Sequence, residues 1–285
     1  YNTNVTVKDS TIAYIDCYDS SNATLMRSTL AGLSGSSGIG IKVINVTILP
    51  KTSSSEAIYM DGADITIENV LIRPQQGLQD YEDAIVLYHA DANITNVTIW
   101  GARDYALYIS LSTARVEKVT IWSGTDYLPR VYLVSSDISL SYLNVSEAEF
   151  FDIIDCKATL NDSIIHVTKE RGMYIEIDED SDVLHMKNVS ISGGMPSIVA
   201  KKSNMYSSSF IDVYVEGVQT ETVTTNGVLV TGDHGFLIVC ADDVTISNVN
   251  ALGVMVTDSV NVTIKQSDFS GTSYDISSHL SSLCL

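Results

Sequence analysis

The chain has 285 residues, and apolar residues make up 45% of it, enough for a continuous core. Lys and Arg number 16 against 35 Asp and Glu, giving a net charge of −19. That balance excludes nucleic acid and anionic membrane surfaces as partners. The absence of any run of about eighteen apolar residues argues against a membrane span.

The chain opens at Tyr1 with no leader segment, which reads either as a mature secreted product or as a boundary cut upstream. Asn4-Val5-Thr6-Val7 is already a repeat-like strand, so the N-terminal end is expected to meet another domain or another copy of the chain. A phrase then recurs, clearest as Ile65-Thr66-Ile67-Glu68-Asn69-Val70-Leu71-Ile72. It returns at Ile94-Thr95-Asn96-Val97-Thr98-Ile99, Met186-Lys187-Asn188-Val189-Ser190-Ile191 and Ile246-Ser247-Asn248-Val249. Positions equivalent to Asn69 fall at Asp9, Arg27, Asn45, Asn96, Lys118, Tyr142, Asp162, Asn188, Asp212, Asn248 and Gln266. Their spacing averages about 23 residues, within the range of solenoid repeats.

Inside each phrase the apolar period is two, which is the strand period. It breaks at Glu68-Asn69 and restarts out of phase, which predicts two short strands joined by a bend where Asn adopts a left-handed conformation. A further apolar run precedes each phrase, at 57–60, 85–88, 107–109, 131–134, 151–154, 174–177 and 237–239. The expectation is an all-β fold: one right-handed parallel β-helix of about 12 coils over residues 1–270, three short strands per coil. The tail 271–285 would drape Leu280, Leu283 and Leu285 over the last coil. A two-sheet β-sandwich is the competing fold, because it also gives short strands every 8–12 residues. The bend Asn and the even recurrence of the phrase favour the solenoid.

The run Ile65-Thr66-Ile67-Glu68-Asn69-Val70 resembles the coil motif of the pectate-lyase-like right-handed β-helix superfamily, which also includes polygalacturonases and phage tailspikes. The resemblance implies that Asn45, Asn69, Asn96, Asn188 and Asn248 stack into an internal ladder, interrupted at Arg27, Lys118, Tyr142 and Gln266. It concerns the scaffold alone. Nine Asn-x-Ser/Thr triplets occur. Those at Asn45, Asn96 and Asn188 would be buried in the ladder, which leaves Asn4, Asn22, Asn93, Asn144, Asn161 and Asn261 as glycan acceptors in an extracellular protein.

Cys17, Cys156, Cys240 and Cys284 have no metal-type spacing. Six coils at about 4.8 Å would hold Cys17 and Cys156 about 29 Å apart, far beyond disulfide reach. Cys240–Cys284 is the bridge that the coil order permits.

Three sets of residues carry candidate chemistry. Glu176, Asp178, Glu179, Asp180 and Asp182 offer oxygen ligands for calcium but lack the glycine and spacing of a dedicated loop, so a solvated turn is the simpler reading. Asp80, Glu82 and Asp83 could meet Asp61 and Asp64 of the preceding coil. Asp233-His234, in the longest insertion, is a carboxylate beside an imidazole. Among the arginines, no pair falls beside a carboxylate pair at matched positions, and the superfamily's cleavage motifs are not recognisable. No residue is therefore assigned as catalytic. Tyr59, Tyr88, Tyr108, Tyr132 and Tyr174 recur near one strand, with Trp100 and Trp122 at the ends of neighbouring phrases. Exposed, they would stack on sugar rings; buried, they fill space.

The resulting expectation is a secreted or surface-displayed, non-catalytic protein with a structural, adhesive or glycan-binding role, such as a subunit of a filament, surface layer or virion fibre. Its partners would be glycans or further copies of itself, and calcium is the one cofactor the acidic run admits. The alternative is a polysaccharide lyase or glycoside hydrolase with a diverged site.

Overall fold

The computed structural model describes residues 4–18, 22–36, 40–52, 56–78, 80–124, 127–168, 173–178, 183–192, 197–201, 212–216, 219–221, 237–239, 243–247, 250–251, 254–257, 262–266, 268–269, 276–279 and 283–284. Two compact units divide the chain, Tyr1–Glu149 and Phe150–Leu285. Both are built from parallel strands wound into stacked turns, and no helix occurs among the described residues. The fold is a parallel β-solenoid.

Each turn of the first unit has three legs. In one turn they are Asn22–Met26, Thr29–Leu30 and Leu33–Ser36; in the next, Gly40–Ile44, Thr47–Ile48 and Ile58–Asp61. Further on, the first two legs fuse into single kinked strands, Asp64–Ile72, Asp91–Trp100 and Thr113–Trp122. Every leg pairs in parallel with its counterpart one turn away, as with Leu25 against Val43 and Ile67 against Ile94. Six return-leg strands stack in the first unit, from Ile15–Cys17 to Arg130–Val134. Six more stack in the second, from Phe150–Ile154 to Ile276–His279. Within 271–285, Ile276–His279 pairs with Val254–Thr257, and Leu283–Cys284 pairs with Val262–Lys265.

The bend is where the sequence placed it. Asp9, Arg27, Asn45, Asn69, Asn96, Lys118, Tyr142, Asp162, Asn188 and Gln266 all have φ between 47° and 55°. Among the anchors within the described residues, Asp212 alone is displaced. Glu216 pairs with Lys187 and Ser247, so Asp212 begins its strand instead of bending it. That phrase carries no Asn, and its Ile-Asp-Val opening imitates the bend.

A second left-handed corner joins the return leg to the next first leg, at Gly62, His89, Leu111, Ser135 and Asp155. Gly62 to Asn69, His89 to Asn96, Leu111 to Lys118, Ser135 to Tyr142 and Asp155 to Asp162 are each seven residues apart. The residue after each corner points inward and is small and buried: Ala63, Ala90, Ser112, Ser136 and Cys156. The serines satisfy themselves. Ser112 Oγ donates to Ser110 O at 2.6 Å and accepts Ala90 N–H at 3.0 Å. Ser136 Oγ likewise accepts Ser112 N–H at 3.0 Å.

The core lies inside the turns. Leu30, Ile48, Ile72, Ile99, Ile121 and Val145 form one inward column, each at most 1% exposed. Full burial of each such side chain contributes about 1.5–3 kcal/mol. β-Branched residues dominate because they pack well on a pleated surface.

Candidate functional site

Where both corner and bend are described, all of the length variation in a turn lies on one side. Asn69 to His89 spans 20 residues and Tyr142 to Asp155 spans 13. The extra residues form loops between the second leg and the return leg, and side chains with unusual surroundings gather along that loop edge in the first unit.

On the outer face of the return leg, Tyr59, Val86, Tyr108 and Tyr132 share one register column. Val86 leaves a gap that Tyr88, two residues on, fills. Its ring centroid is 6.0 Å from that of Tyr59 and 5.2 Å from that of Tyr108. Tyr108 and Tyr132 stack at 5.6 Å, and Tyr105 meets Tyr108 edge-on at 5.1 Å. The rings are half-buried against one another. Burial, reinforced by a hydrogen bond with Tyr108, pushes the Tyr88 hydroxyl up to about 12.

Arg130 closes this aromatic row at the loop edge. Its Nη1 donates to Asp104 Oδ1 and its Nε to Glu149 Oε2, both at 2.7 Å, so one guanidinium joins carboxylates from the turns on either side. It also lies 6.0 Å from the Tyr105 ring centroid. The sequence showed no such arrangement, because unequal loops separate these residues by 19 and 26 positions.

Asp83 lies in the same edge. Burial pushes its carboxyl up to about 6, helped by the carboxylates of Asp104, Glu82 and Glu56 and opposed by a 2.9 Å hydrogen bond from Tyr105 N–H. Burial also raises Glu56, with Glu82 adding to the effect. The neighbouring Tyr81 is fully buried, and its hydroxyl has no hydrogen-bond partner. The meeting of Asp83 with Asp61 that the spacing allowed, against the simpler reading of a solvated acidic loop, does not occur. Ala57 N–H donates to Asp83 O, and Asp61 lies four residues further along that strand, about 13 Å away. Asp61 instead pairs with His89 at 3.1 Å.

Trp100 and Trp122 end successive second legs in register and are 45% and 48% exposed. They stand at the start of the same loop edge.

Other expectations resolve unevenly. The ladder residues Asn45, Asn69, Asn96 and Asn188 are exposed, not buried, because the left-handed bend turns these side chains out to solvent. Asn96 Nδ2 donates to Asn69 Oδ1 at 2.6 Å, and Asn188 Nδ2 donates to Asp162 Oδ1 at 2.9 Å. Arg27 does not interrupt the row; its Nε donates to Asp9 Oδ1 at 2.7 Å. Asn4, Asn22, Asn93 and Asn144 are exposed and Asn161 is half-buried. Cys17 and Cys156 are buried free thiols. Asp233, His234, Asp180, Asp182, Asn248, Asn261 and Cys240, with the side chains of Asp178 and Cys284, lie outside the described residues. No group of three or more His, Cys, Asp or Glu suited to a metal ion occurs among the described residues. No helix long and apolar enough to cross a membrane occurs among the described residues.

Comparison with known proteins gives no match: no family model, no curated protein and no solved structure matches this chain.

Proposed function

We propose that this chain is a secreted or surface-displayed β-solenoid that recognises glycans and serves adhesion. The observation that carries this reading is the pair of exposed indoles, Trp100 and Trp122, one turn apart in register on the loop edge. Flat apolar faces presented at the strand spacing of about 4.8 Å are what consecutive sugar rings stack against. The exposed Asn-x-Ser/Thr triplets support an extracellular location. The repeating phrase supports a pectate-lyase-like, right-handed scaffold.

Affinity electrophoresis against a panel of neutral polysaccharides tests the reading. Trp100→Ala and Trp122→Ala are each expected to weaken retardation by at least tenfold while leaving the Tm within about two degrees of wild type. Unchanged retardation in both variants would refute it.

One observation favours a second reading, a polysaccharide-cleaving enzyme. Asp83 combines a raised pKa with a hydrogen bond to the backbone of Tyr105 in the aromatic row, and a carboxyl that holds its proton near neutral pH suits a general acid. New reducing ends or unsaturated products, with or without calcium, that vanish in Asp83→Asn would establish cleavage.

A further inference from the structure

The outer face of the first leg carries a column that runs Asn4, Asn22, Gly40, Asp64, Asp91, Thr113 across successive turns. Gly40 alone has no side chain, so the column is interrupted there. The gap opens into a depression of about 500 Å³ lined by Asn22, Lys42, Asp64, Thr66, Asp91 and Asn93. A second depression, about 460 Å³, shares Asp64 and Asp91 and continues around the corner past His89 and Ser112. The two meet at the aspartate pair and make one polar track across the turns. From the turn of Asn22 to that of Thr113 is four strand spacings, about 19 Å.

The near wall is held in place. Asn22 Nδ2 donates to Asn4 Oδ1 at 3.1 Å, while Asn22 Oδ1 accepts Gly40 N–H at 3.2 Å. A Cβ on residue 40 would come within 2.7 Å of that oxygen. Glycine here therefore keeps both the Asn22 orientation and the opening. His89 in the track pairs with Asp61 at 3.1 Å, but the other charged groups are free of ion pairs. Lys42, Asp64 and Asp91 make no ion pair among the described residues.

Chemistry narrows the occupant. The walls offer two acceptor-only carboxylates, amides, several hydroxyls, the His89 imidazole and one ammonium donor. An aspartate pair in register presents acceptors to vicinal hydroxyls, and Lys42 presents donors to ring and hydroxyl oxygens. The site carries one more negative than positive charge on a chain of net charge −19, which disfavours anionic ligands. The track has no Phe, Tyr or Trp in its lining, so hydrogen bonding must supply most of the recognition. We infer that this track binds a neutral oligosaccharide laid across the turns, with Asp64 and Asp91 gripping hydroxyl pairs and Lys42 donating to oxygens. The inference shares the glycan reading proposed above but uses a different face, and does not depend on Trp100 or Trp122.

The test is a titration of the isotope-labelled chain with neutral hexaoses of glucose, mannose and xylose, followed by two-dimensional NMR. The expected result is shifts in the amides of residues 40–42, 64–66 and 91–93 that saturate with one of these sugars. Gly40→Thr, which fills the gap, is expected to raise the Kd at least tenfold. Lys42→Ala, a surface change that leaves the backbone column intact, is expected to raise it about fivefold, and it keeps the test open if Gly40→Thr misfolds. Shifts confined to the indole N–H signals of Trp100 and Trp122 would overturn the track and leave the loop-edge reading standing. Shifts in the track alone would support the inference and remove the loop edge. No shift with any of the three sugars would overturn both. Preferential binding of a glucosamine or galacturonate hexaose over the neutral sugars would overturn the neutral class.

Discussion

Asp83 shows how one residue can report on its surroundings. Its folded pKa of about 6 stands above the ordinary 3.8 because the ionised form is poorly solvated. The native state therefore binds more protons than the unfolded chain between those values, and stability falls as pH rises through that window. The penalty is complete above pH 6 and relieved below about pH 4. Asp83→Asn keeps an oxygen to accept the Tyr105 N–H bond and removes the charge. It is expected to stabilise the protein by about 1 kcal/mol at pH 7.5, a figure discounted for the solvent on the open side of the carboxyl. Thermal melts at pH 7.5 and 4.5 should show the full gain at the first pH and a clearly smaller one at the second. An equal gain at both would mean that the charge is not the cause. At the same scale, the exposed bend asparagines change the glycan map: Asn45, Asn96 and Asn188 rejoin the sterically open Asn-x-Ser/Thr triplets, since burial was the one reason to set them aside.

Among elements, the two corners differ in how they were written into the sequence. The bend at Asn69 and its equivalents was readable because a shift of apolar phase accompanies it, whatever residue sits there; even Lys118 and Tyr142 adopt it. The second corner was not readable. Gly62, His89, Leu111, Ser135 and Asp155 share no side-chain chemistry, and only the small residue that follows each one marks the place. That following position can be tested directly. Ser112→Ala leaves the Ala90 N–H without an acceptor inside the core, which costs about 1–3 kcal/mol. Ser112→Cys should cost less, because Cys156 already occupies an equivalent position with its Sγ 3.2 Å from Ile154 O. Urea midpoints for the two variants should fall in that order; equal loss would show that packing, not the hydrogen bond, fills the role. The loop edge was legible only in part. Tyr59, Tyr108 and Tyr132 follow the strand repeat and could be aligned, whereas the Arg130 bridge to Asp104 and Glu149 depends on loops of unequal length that carry no periodic signal.

For the whole molecule, the governing quantity is the charge of −19. Parallel stacking in register multiplies its effect, because a residue type repeated along a column becomes a row of like charges. Asp64 lies directly over Asp91, and Glu56, Glu82, Asp83 and Asp104 share the loop edge. Raising salt from 10 to 150 mM shortens the screening length from about 30 to about 8 Å. The Tm is expected to rise by several degrees over that range. A fall would show that attraction across the exposed ion pairs, such as Arg27 with Asp9, outweighs repulsion.

The seven-residue arm between corner and bend acts as a ruler. It meters each of these five turns independently of what the opposite side carries, so foreign peptide grafted at the long loops, for example after Lys51, leaves the thread of the coil undisturbed. Lengthening the arm by a single residue would turn the side chains between the insertion and the bend to the wrong face of that turn. Evolution, and an engineer, can therefore rewrite the cargo of this protein while its gauge stays constant.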